Sequence, residues 1–315
     1  MKSLYVSELK AGQAVKEKFL LHKKSVRDKK DGGIYALLEF SDRTGIIDGI
    51  SWDADNFENI SAGDFVFVAG NVREYNGKPQ IVVAAMSVVA EKDIDANDFL
   101  LRYSGDIDKV MEAIRDFAAR VRNTNLRALL DAFLSDKDFV QSFSSAPAAK
   151  MVHHAYLGGL AVHTLGVLKL LQNVQSVLDF LNLDLLIAGG ILHDIGKIHE
   201  YTYKKSIDIS DRGRLLGHIL IGSEMVSERI SRLAEFPDEL KAKILHMILS
   251  HHGEKEWGSP KQPLFPEALV LHHVDNLDAK IEIMRQIHAK HRGQNKQWSD
   301  YDRFLEREIY LGDDL

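Results

Sequence analysis

Cysteine is absent from this chain of 315 residues, so no disulfide can form and no thiolate can bind a metal. Long apolar runs are absent as well. The richest, Leu183–Leu192, meets His193 and Asp194 well before the roughly 20 residues that a membrane-spanning helix needs. The first ten residues lack the basic and apolar regions of a secretory signal. These absences predict a cytoplasmic protein without a membrane partner, in which histidine, aspartate or glutamate would hold any metal.

Positive charge is scarce overall, because 46 acidic residues outnumber 40 basic ones and give a net charge of −6. This balance argues against a chain that coats nucleic acid by bulk charge. Residues 16–30 differ, with seven basic side chains against two acidic ones. Such a patch is typical of a surface that follows phosphates, and we predict that Lys23, Lys24 and Arg27 bind substrate there. The alternative is an ordinary solvated strand and loop.

The first 93 residues have a β pattern, in which short runs of valine, isoleucine and aromatics alternate with turn signals such as Asn76-Gly77. About five strands with too little helix to cover an open sheet predict a small closed barrel of the OB type. Such a barrel with a basic stretch favours a single-stranded nucleic acid as partner. A protein-interaction or oligomerisation module is the alternative, because the segment carries 13 basic and 14 acidic residues.

From Asp106 onward the apolar residues recur at steps of three and four, which indicates helices. We predict helices near 107–121, 126–134, 151–173, 176–198, 215–234, 238–251 and 266–291, with a loop or small hairpin at 199–214. The predicted fold class is multidomain α+β, an OB-like β-barrel followed by an all-α domain. Its expected parts are the barrel at 1–93, a helical linker at 94–150, the helical domain at 151–291 and a tail at 292–315.

Metal-binding side chains interrupt the apolar faces at five places in this helical half. They are His163, His193-Asp194, His218, His251-His252 and Asp275. A single histidine there is usually a core residue, but a buried carboxylate without a partner costs several kcal/mol, and a shared cation would satisfy the whole set. Lys197 follows His193 by four residues on one helix face, which predicts an ammonium group near any phosphate that the metal binds. Gly196 is expected to let substrate approach the backbone.

In chain order these residues read His163, His193-Asp194-Ile195-Gly196-Lys197, His218, His251 and Asp275. This order resembles the H…HD…H…H…D signature of the HD superfamily of phosphohydrolases. The chain is most similar to the YhaM-type 3′→5′ exoribonucleases, which place an OB-type domain before the HD domain. The likeness runs from about residue 10 to residue 290, and its most specific parts lie around 193–197 and 250–260.

The resemblance implies an enzyme that hydrolyses phosphodiester bonds of single-stranded RNA from the 3′ end, with single-stranded DNA left open as a second substrate. It implies two divalent metal ions that share Asp194: one bound by His163, His193, Asp194 and Asp275, the other by His218 and His251. Nitrogen and oxygen ligands suit cobalt, iron, nickel and zinc as well as manganese, and the resemblance favours manganese.

The roles of the remaining polar residues are less specific. Asp194, Lys197 and His252 are predicted to be catalytic, with His252 a third ligand, a proton donor or an orienting group. His153, His154 and Lys197 are predicted to contact the substrate phosphate, although the two histidines could simply pack.

Two alternative functions stay open. One is an HD phosphohydrolase for a small nucleotide or a cyclic dinucleotide; the cyclic-dinucleotide branch carries a Gly-Tyr-Pro motif where this chain has Gly253–Pro260. The other is an adaptor that binds RNA or protein without catalysis. A domain that has lost its catalysis usually lacks some metal ligands, and all the expected ligand positions are present here. The sequence leaves homo-oligomerisation open.

Acid should remove the metal. Ligand histidines must be neutral to bind a cation, so we expect metal and activity to be lost below about pH 6. Mass spectrometry of metal in protein desalted above and below that pH measures this loss. Metal content that does not change with pH would contradict a histidine site.

Overall fold

The structure is a computed structural model, and it describes residues 2–29, 32–53, 57, 59–95, 98–150, 154–203, 207–291 and 296–312. The chain divides into two compact units. The first comprises Met1–Arg102 and Tyr203–Ser206, and the second comprises Tyr103–Thr202 and Ile207–Leu315. The first unit is built of strands and the second mainly of helices, which confirms the predicted fold class.

The first unit is a closed barrel of five strands. They are β1 (Ala14–Asp28), β2 (Ile34–Asp42), β3 (Gly45–Ser51), β4 (Phe65–Tyr75) and β5 (Lys78–Val88). Their order around the barrel is β1-β2-β3-β5-β4, with β4 paired to β1, and only the β3–β5 pair is parallel. Alternate side chains point inward, so that Phe19, Leu21, Phe40 and Ile81 are fully buried in the barrel core.

The β4–β5 hairpin forms at the predicted turn, where Asn76 and Gly77 both have positive φ. Further along the same pair, the register shifts by one residue between Ala69 and Gly70. At this bulge the backbone of β5 lies so close that a Cβ on Gly70 would be 2.2 Å from the carbonyl oxygen of Val82. Only glycine fits at this bulge, because the backbone of β5 leaves no space for a side chain.

The second unit is a helical bundle with one small hairpin. Its helices are α1 (Ile107–Ala119), α2 (Thr124–Leu134), α3 (Lys137–Ser145), α4 (Gly159–Val177), α5 (Leu183–Leu192), α6 (Lys197–Glu200), α7 (Asp211–Ser231), α8 (Asp238–Ser250) and α9 (Pro266–His291). Strands β6 (Tyr201–Thr202) and β7 (Asp208–Ile209) form the hairpin. None of the described helices is long and apolar enough to cross a lipid bilayer.

The structure corrects several helix boundaries. The helix predicted over 176–198 is three pieces: α4 ends at Val177, Asn182 caps the start of α5, and the chain turns at 193–196 before α6. The helix predicted from 215 is preceded by a helical piece that begins at Asp211, where Ser210 accepts a hydrogen bond from the backbone N–H of Gly213 and caps it. A kink at Gly217, whose φ is 70°, separates this piece from the rest of α7. The described part of 151–158 is not helical, and α3 was not predicted.

The lack of space at Gly70 makes a stability prediction. We expect Gly70→Ala to destabilise the barrel by about 1–3 kcal/mol, because the added methyl group meets backbone atoms that cannot rotate away. Gly45→Ala is the matched control, since a Cβ there has only an ordinary 3.5 Å contact with Val6. Hydrogen–deuterium exchange of the β4 and β5 peptides measures the difference. Equal protection in the two variants would contradict the close approach.

Candidate active site

Five segments of the helical unit bring the predicted ligands to one place. His163 lies in α4, His193 and Asp194 lie in the turn after α5, His218 lies in α7, His251 lies just after α8, and Asp275 lies in α9. His163, His193, Asp194 and His251 are each at most 1% exposed. The six residues predicted to bind metal are therefore gathered in the interior of this unit.

Four of them form one compact cluster around His163. Its Nε2 atom lies 3.2 Å from His193 Nε2, 3.1 Å from Asp275 Oδ1 and 3.5 Å from Asp194 Oδ2. The two ring nitrogens face each other, so they require a proton or a cation between them and the carboxylates. All four ligand atoms lie within 4.8 Å of one another, which suits a single metal ion.

The other oxygen of Asp194 faces a second cluster. Asp194 Oδ1 lies 3.5 Å from His218 Nε2 and 3.5 Å from His251 Nε2. These three atoms are buried, and none has a hydrogen-bond partner among the described residues. Three unpaired polar atoms in one interior place cost free energy unless a cation joins them. His252 completes this cluster, with its ring 4.4 Å from that of His251 and 5.1 Å from that of His218.

Hydrogen bonds behind the rings decide which nitrogen faces the clusters. Each of the five histidines has Nδ1 within hydrogen-bond distance of an oxygen that accepts its proton. The acceptors are Asp278 Oδ2 for His163 at 2.7 Å, Gly190 O for His193 at 2.9 Å, Glu200 Oε1 for His218 at 3.0 Å, Ile248 O for His251 at 2.7 Å and Trp257 O for His252 at 2.7 Å. A proton on Nδ1 leaves the Nε2 lone pair toward the cluster, as in metal-binding histidines.

The electrostatics separate the two clusters. Burial lowers the pKa of His193, but Asp194 and Asp275 outweigh it and raise the pKa to about 10. In the second cluster burial lowers the pKa of His251, and burial with the neighbouring His251 and His218 lowers that of His252 to about 3. His252 is therefore neutral with its proton on Nδ1, which favours the ligand or orienting role over proton donation.

Lys197 is bound to the shared carboxylate. Its ammonium nitrogen lies 2.6 Å from Asp194 Oδ2, and the residue is only 7% exposed. Burial opposes the charge, but Asp194 outweighs it and raises the pKa of Lys197, while the pKa of Asp194 is held well below its usual value despite burial. Both groups stay charged. Lys197 thus neutralises the charge of Asp194 directly. The predicted contact with a substrate phosphate would have to be made by the same ammonium group.

Gly196 has a different role from the one expected. A Cβ at this position would be 2.0 Å from the carbonyl oxygen of His218 and 2.6 Å from the backbone nitrogen of Gly222. The glycine therefore allows the turn after α5 to pack directly against α7, which carries His218. The close approach that the sequence predicts is made by the protein's own backbone.

The predicted substrate-binding residues are placed as follows. His153 lies outside the described residues. His154 is buried behind His163, with Nδ1 2.8 Å from the Tyr156 hydroxyl and Nε2 3.3 Å from Asp278 Oδ2. In the barrel, Lys23 pairs with a glutamate on β2 and Arg27 is exposed on β1. The ammonium of Lys24 donates to the carbonyl oxygens of residues 57 and 60, so it stabilises a loop of the barrel itself.

Comparison with known proteins identifies both halves. The model of the HD domain matches residues 160–280, and the model of the OB-fold nucleic acid binding domain (tRNA anti-codon) matches residues 22–89. The 3′-5′ exoribonuclease YhaM of Geobacillus sp. (strain WCH70) is 35% identical over 257 residues, which are 81% of this chain and 78% of the relative. The 3′-5′ exoribonuclease YhaM of Bacillus subtilis (strain 168) is 35% identical over 275 residues, which are 85% of this chain and 86% of the relative.

The chain belongs to the YhaM family of 3′-5′ exoribonucleases. A third relative, YhaM of Listeria welshimeri, is 32% identical over 284 residues, 89% of this chain and 90% of the relative. The resemblance found in the sequence is confirmed, and so are its OB-type and HD-type domains. The HD match includes both histidine and aspartate clusters and Lys197. This YhaM-family chain is therefore a hydrolytic nuclease by descent.

The clusters open into a cavity of about 300 Å³. Its wall includes Lys197, His218, His251, His252 and Asp275, together with Tyr201, Trp257, His272 and Asn276. No role was predicted from the sequence for Trp257 or His272, nor for the carboxylates Glu200 and Asp278 behind the rings. A signal existed for Asp278, which follows Asp275 by one helical turn of α9. Members of both candidate clusters thus line one cleft of the helical unit.

Asp278 should matter for metal affinity although it lies behind a ring. We expect Asp278→Ala to weaken Mn²⁺ binding by about 10- to 100-fold, because the His163 ring loses the acceptor that fixes its tautomer. Asp108→Ala on the exposed face of α1 is the matched control. Titration of metal-free protein against a fluorescent chelator measures the affinity. Equal affinities in both variants would remove Asp278 from the site.

Proposed function

We propose that this protein is a metal-dependent 3′→5′ exoribonuclease that degrades single-stranded RNA with two divalent cations. One observation carries the proposal. Asp194 Oδ1, His218 Nε2 and His251 Nε2 meet in the interior without hydrogen-bond partners among the described residues, next to a four-ligand cluster that uses the other oxygen of Asp194. Membership of the YhaM family supplies the reaction class and the direction along the strand.

The residues present fit two cations. His163, His193, Asp194 and Asp275 would hold the first, and His218, His251 and His252 with Asp194 the second. Such cations, when bound, generate a nucleophile from water at neutral pH and polarise the phosphodiester. The donor set of nitrogen and oxygen suits manganese, iron, cobalt, nickel and zinc, and the family resemblance favours manganese.

The chain's own groups prepare this site in three ways. Asp278 and Glu200 fix the rings of His163 and His218, so their lone pairs are aimed before any cation binds. Lys197 keeps Asp194 ionised and adds a positive charge to the cavity wall. That charge favours a phosphodiester over a neutral substrate and stabilises the negative charge that develops on its oxygens.

The barrel supports a single-stranded partner. Its match to the OB-fold nucleic acid binding domain covers most of the five strands. Tyr35 and Trp52 lie side by side, with ring centroids 5.7 Å apart, and Trp52 is exposed. Arg27 lies opposite Tyr35 in the strand register, so a cation and two aromatic rings occupy neighbouring positions. This combination is typical of surfaces that bind unpaired bases and their phosphates.

A labelled-strand experiment tests the proposal. With Mn²⁺, single-stranded RNA labelled at its 3′ end should release labelled mononucleotide at once, whereas RNA labelled at its 5′ end should shorten stepwise. Asp194→Ala should lose both activity and bound metal, and Asp108→Ala should keep both. A matched DNA strand and a cyclic dinucleotide measure substrate preference.

Three outcomes would contradict the proposal. Stepwise loss from the 5′ end would reverse the direction. Hydrolysis of the cyclic dinucleotide but not of RNA would favour the small-nucleotide phosphohydrolase. Tight RNA binding without hydrolysis under any divalent metal would favour the adaptor.

A further inference from the structure

Trp257 is an exposed indole on the wall of the cavity that contains the metal ligands. It shares that wall with His251, His252 and Asp275, and it is 50% exposed. Tryptophan is usually well buried, since its ring gains much free energy from leaving water. Trp52 and Trp298 are exposed to a similar extent, so what distinguishes Trp257 is its place in the cavity wall, where a bound substrate would cover the indole.

The backbone that carries Trp257 is tied to the segment of His251 and His252. The Nδ1 proton of His252 is donated to the carbonyl oxygen of Trp257 at 2.7 Å. Gly258 has a positive φ of 84°. The Ser259 hydroxyl after it lies within hydrogen-bond distance of Leu249 O at 3.0 Å, at the end of α8, and of Lys261 O at 2.8 Å. The segment is therefore tied to the helix that precedes His251 and His252. With this backbone anchored, only the side-chain torsions of Trp257 need to be ordered when a flat ligand stacks on the indole.

The neighbours of Trp257 are those of a nucleotide site. His272 is buried beside it, with ring centroids 6.2 Å apart, and its Nδ1 donates to His251 O at 2.8 Å. Gly253 makes room for this histidine, because a Cβ there would be 2.3 Å from His272 Cε1. The Lys280 ammonium lies 5.6 Å from the centre of the indole. An aromatic face, a cation and the metal ligands thus adjoin one another.

We propose that Trp257 stacks on the base of the 3′-terminal nucleotide and so determines affinity for the strand end. This inference rests on the proposed function, because a strand that is shortened from its 3′ end must place its terminal phosphodiester at the metal ligands. The terminal nucleoside then lies against the cavity wall. Stacking on an indole accepts all four bases, which suits an enzyme that removes nucleotides one after another.

The stacking is tested by changing the side chain at position 257 and, separately, by removing the base from the 3′-terminal nucleotide. We expect Trp257→Ala to raise the KM for single-stranded RNA by roughly 5- to 150-fold with a smaller change in kcat, as loss of one base–aromatic stack predicts. Trp257→Phe should restore most of the affinity and Trp257→Leu should not. On RNA with an abasic 3′-terminal ribose, the native protein and Trp257→Ala should have the same KM. Trp298→Ala is the matched control, because Trp298 is 54% exposed and lies outside the cavity wall.

A binding measurement gives a readout without turnover. Titration with adenosine 5′-monophosphate is done in proteins that carry Trp52→Phe, so that the exposed indole of the barrel does not contribute. It should quench tryptophan fluorescence in that background and in the background with Trp298→Ala, and this quenching should be absent when Trp257→Phe is added. Circular dichroism of every variant shows whether it is folded, and Trp257→Phe retains a ring should Trp257→Ala not fold.

Failure of the stacking inference and failure of the exoribonuclease proposal give different results. RNA hydrolysis with an unchanged KM in Trp257→Ala, or an equal rise on normal and abasic ends, would overturn the stacking. Absence of RNA hydrolysis in the native protein would overturn the exoribonuclease proposal. In that case quenching that depends on Trp257 would still support a base-binding site, and quenching that does not depend on it would overturn the inference.

Discussion

The buried charge of Asp194 is the constraint on which the helical unit depends. The residue is 1% exposed, and an ionised carboxylate in such a place must be compensated or it costs several kcal/mol. Lys197 supplies one positive charge at 2.6 Å, and imidazoles face both carboxylate oxygens. One positive charge cannot serve two carboxylates and five inward lone pairs. The packing of α4, α5, α7, α8 and α9 around this point is therefore complete only with further positive charge, supplied by cations or by protons.

Protons and cations compete for the first cluster. With no cation between them, Asp194 and Asp275 raise the pKa of His193 to about 10 against the effect of burial, so a proton takes the place of a metal. Binding of metal must then displace that proton, which makes affinity depend on pH. In the second cluster His252 has its pKa lowered to about 3, and burial lowers that of His251, so these rings are already in the form that binds metal. The two clusters thus differ in how much they must change to bind a cation.

The sequence predicted which side chains gather in the interior better than it predicted the oxygens behind them, and the reason is physical. His163, His193, His218 and His251 stand out because each interrupts an apolar helix face. Their supporting oxygens do not stand out, since three of the five are backbone carbonyls, which no sequence pattern marks. Glu200 and Asp278 lie in polar surroundings where an acidic residue is ordinary. The break at 193–196 was missed because no proline marks it and because isoleucines continue through it, at Ile191, Ile195 and Ile198.

The glycines also differ in how far their roles could be predicted from the local sequence. Gly77 was readable as a turn because Asn-Gly between two strands is a local signal. Gly196 was assigned to substrate approach, but what excludes a side chain there is the carbonyl of His218, some 20 residues further along the chain. Gly253 is similar, since it is His272 that fills the space of its missing Cβ. Local sequence shows that a glycine is present, and only the fold shows what lies against it.

The backbone of Trp257 also supports one of the histidines of the second cluster. Its carbonyl oxygen accepts the proton of His252, so the residue that orients one candidate metal ligand also carries the exposed ring. The neighbouring His272 donates to the backbone carbonyl of His251, another ligand. A displacement of either ligand would therefore move the aromatic wall, and a base stacked on that wall would bear on the ligands. These two hydrogen bonds link the proposed recognition of the strand end to the orientation of the candidate metal ligands.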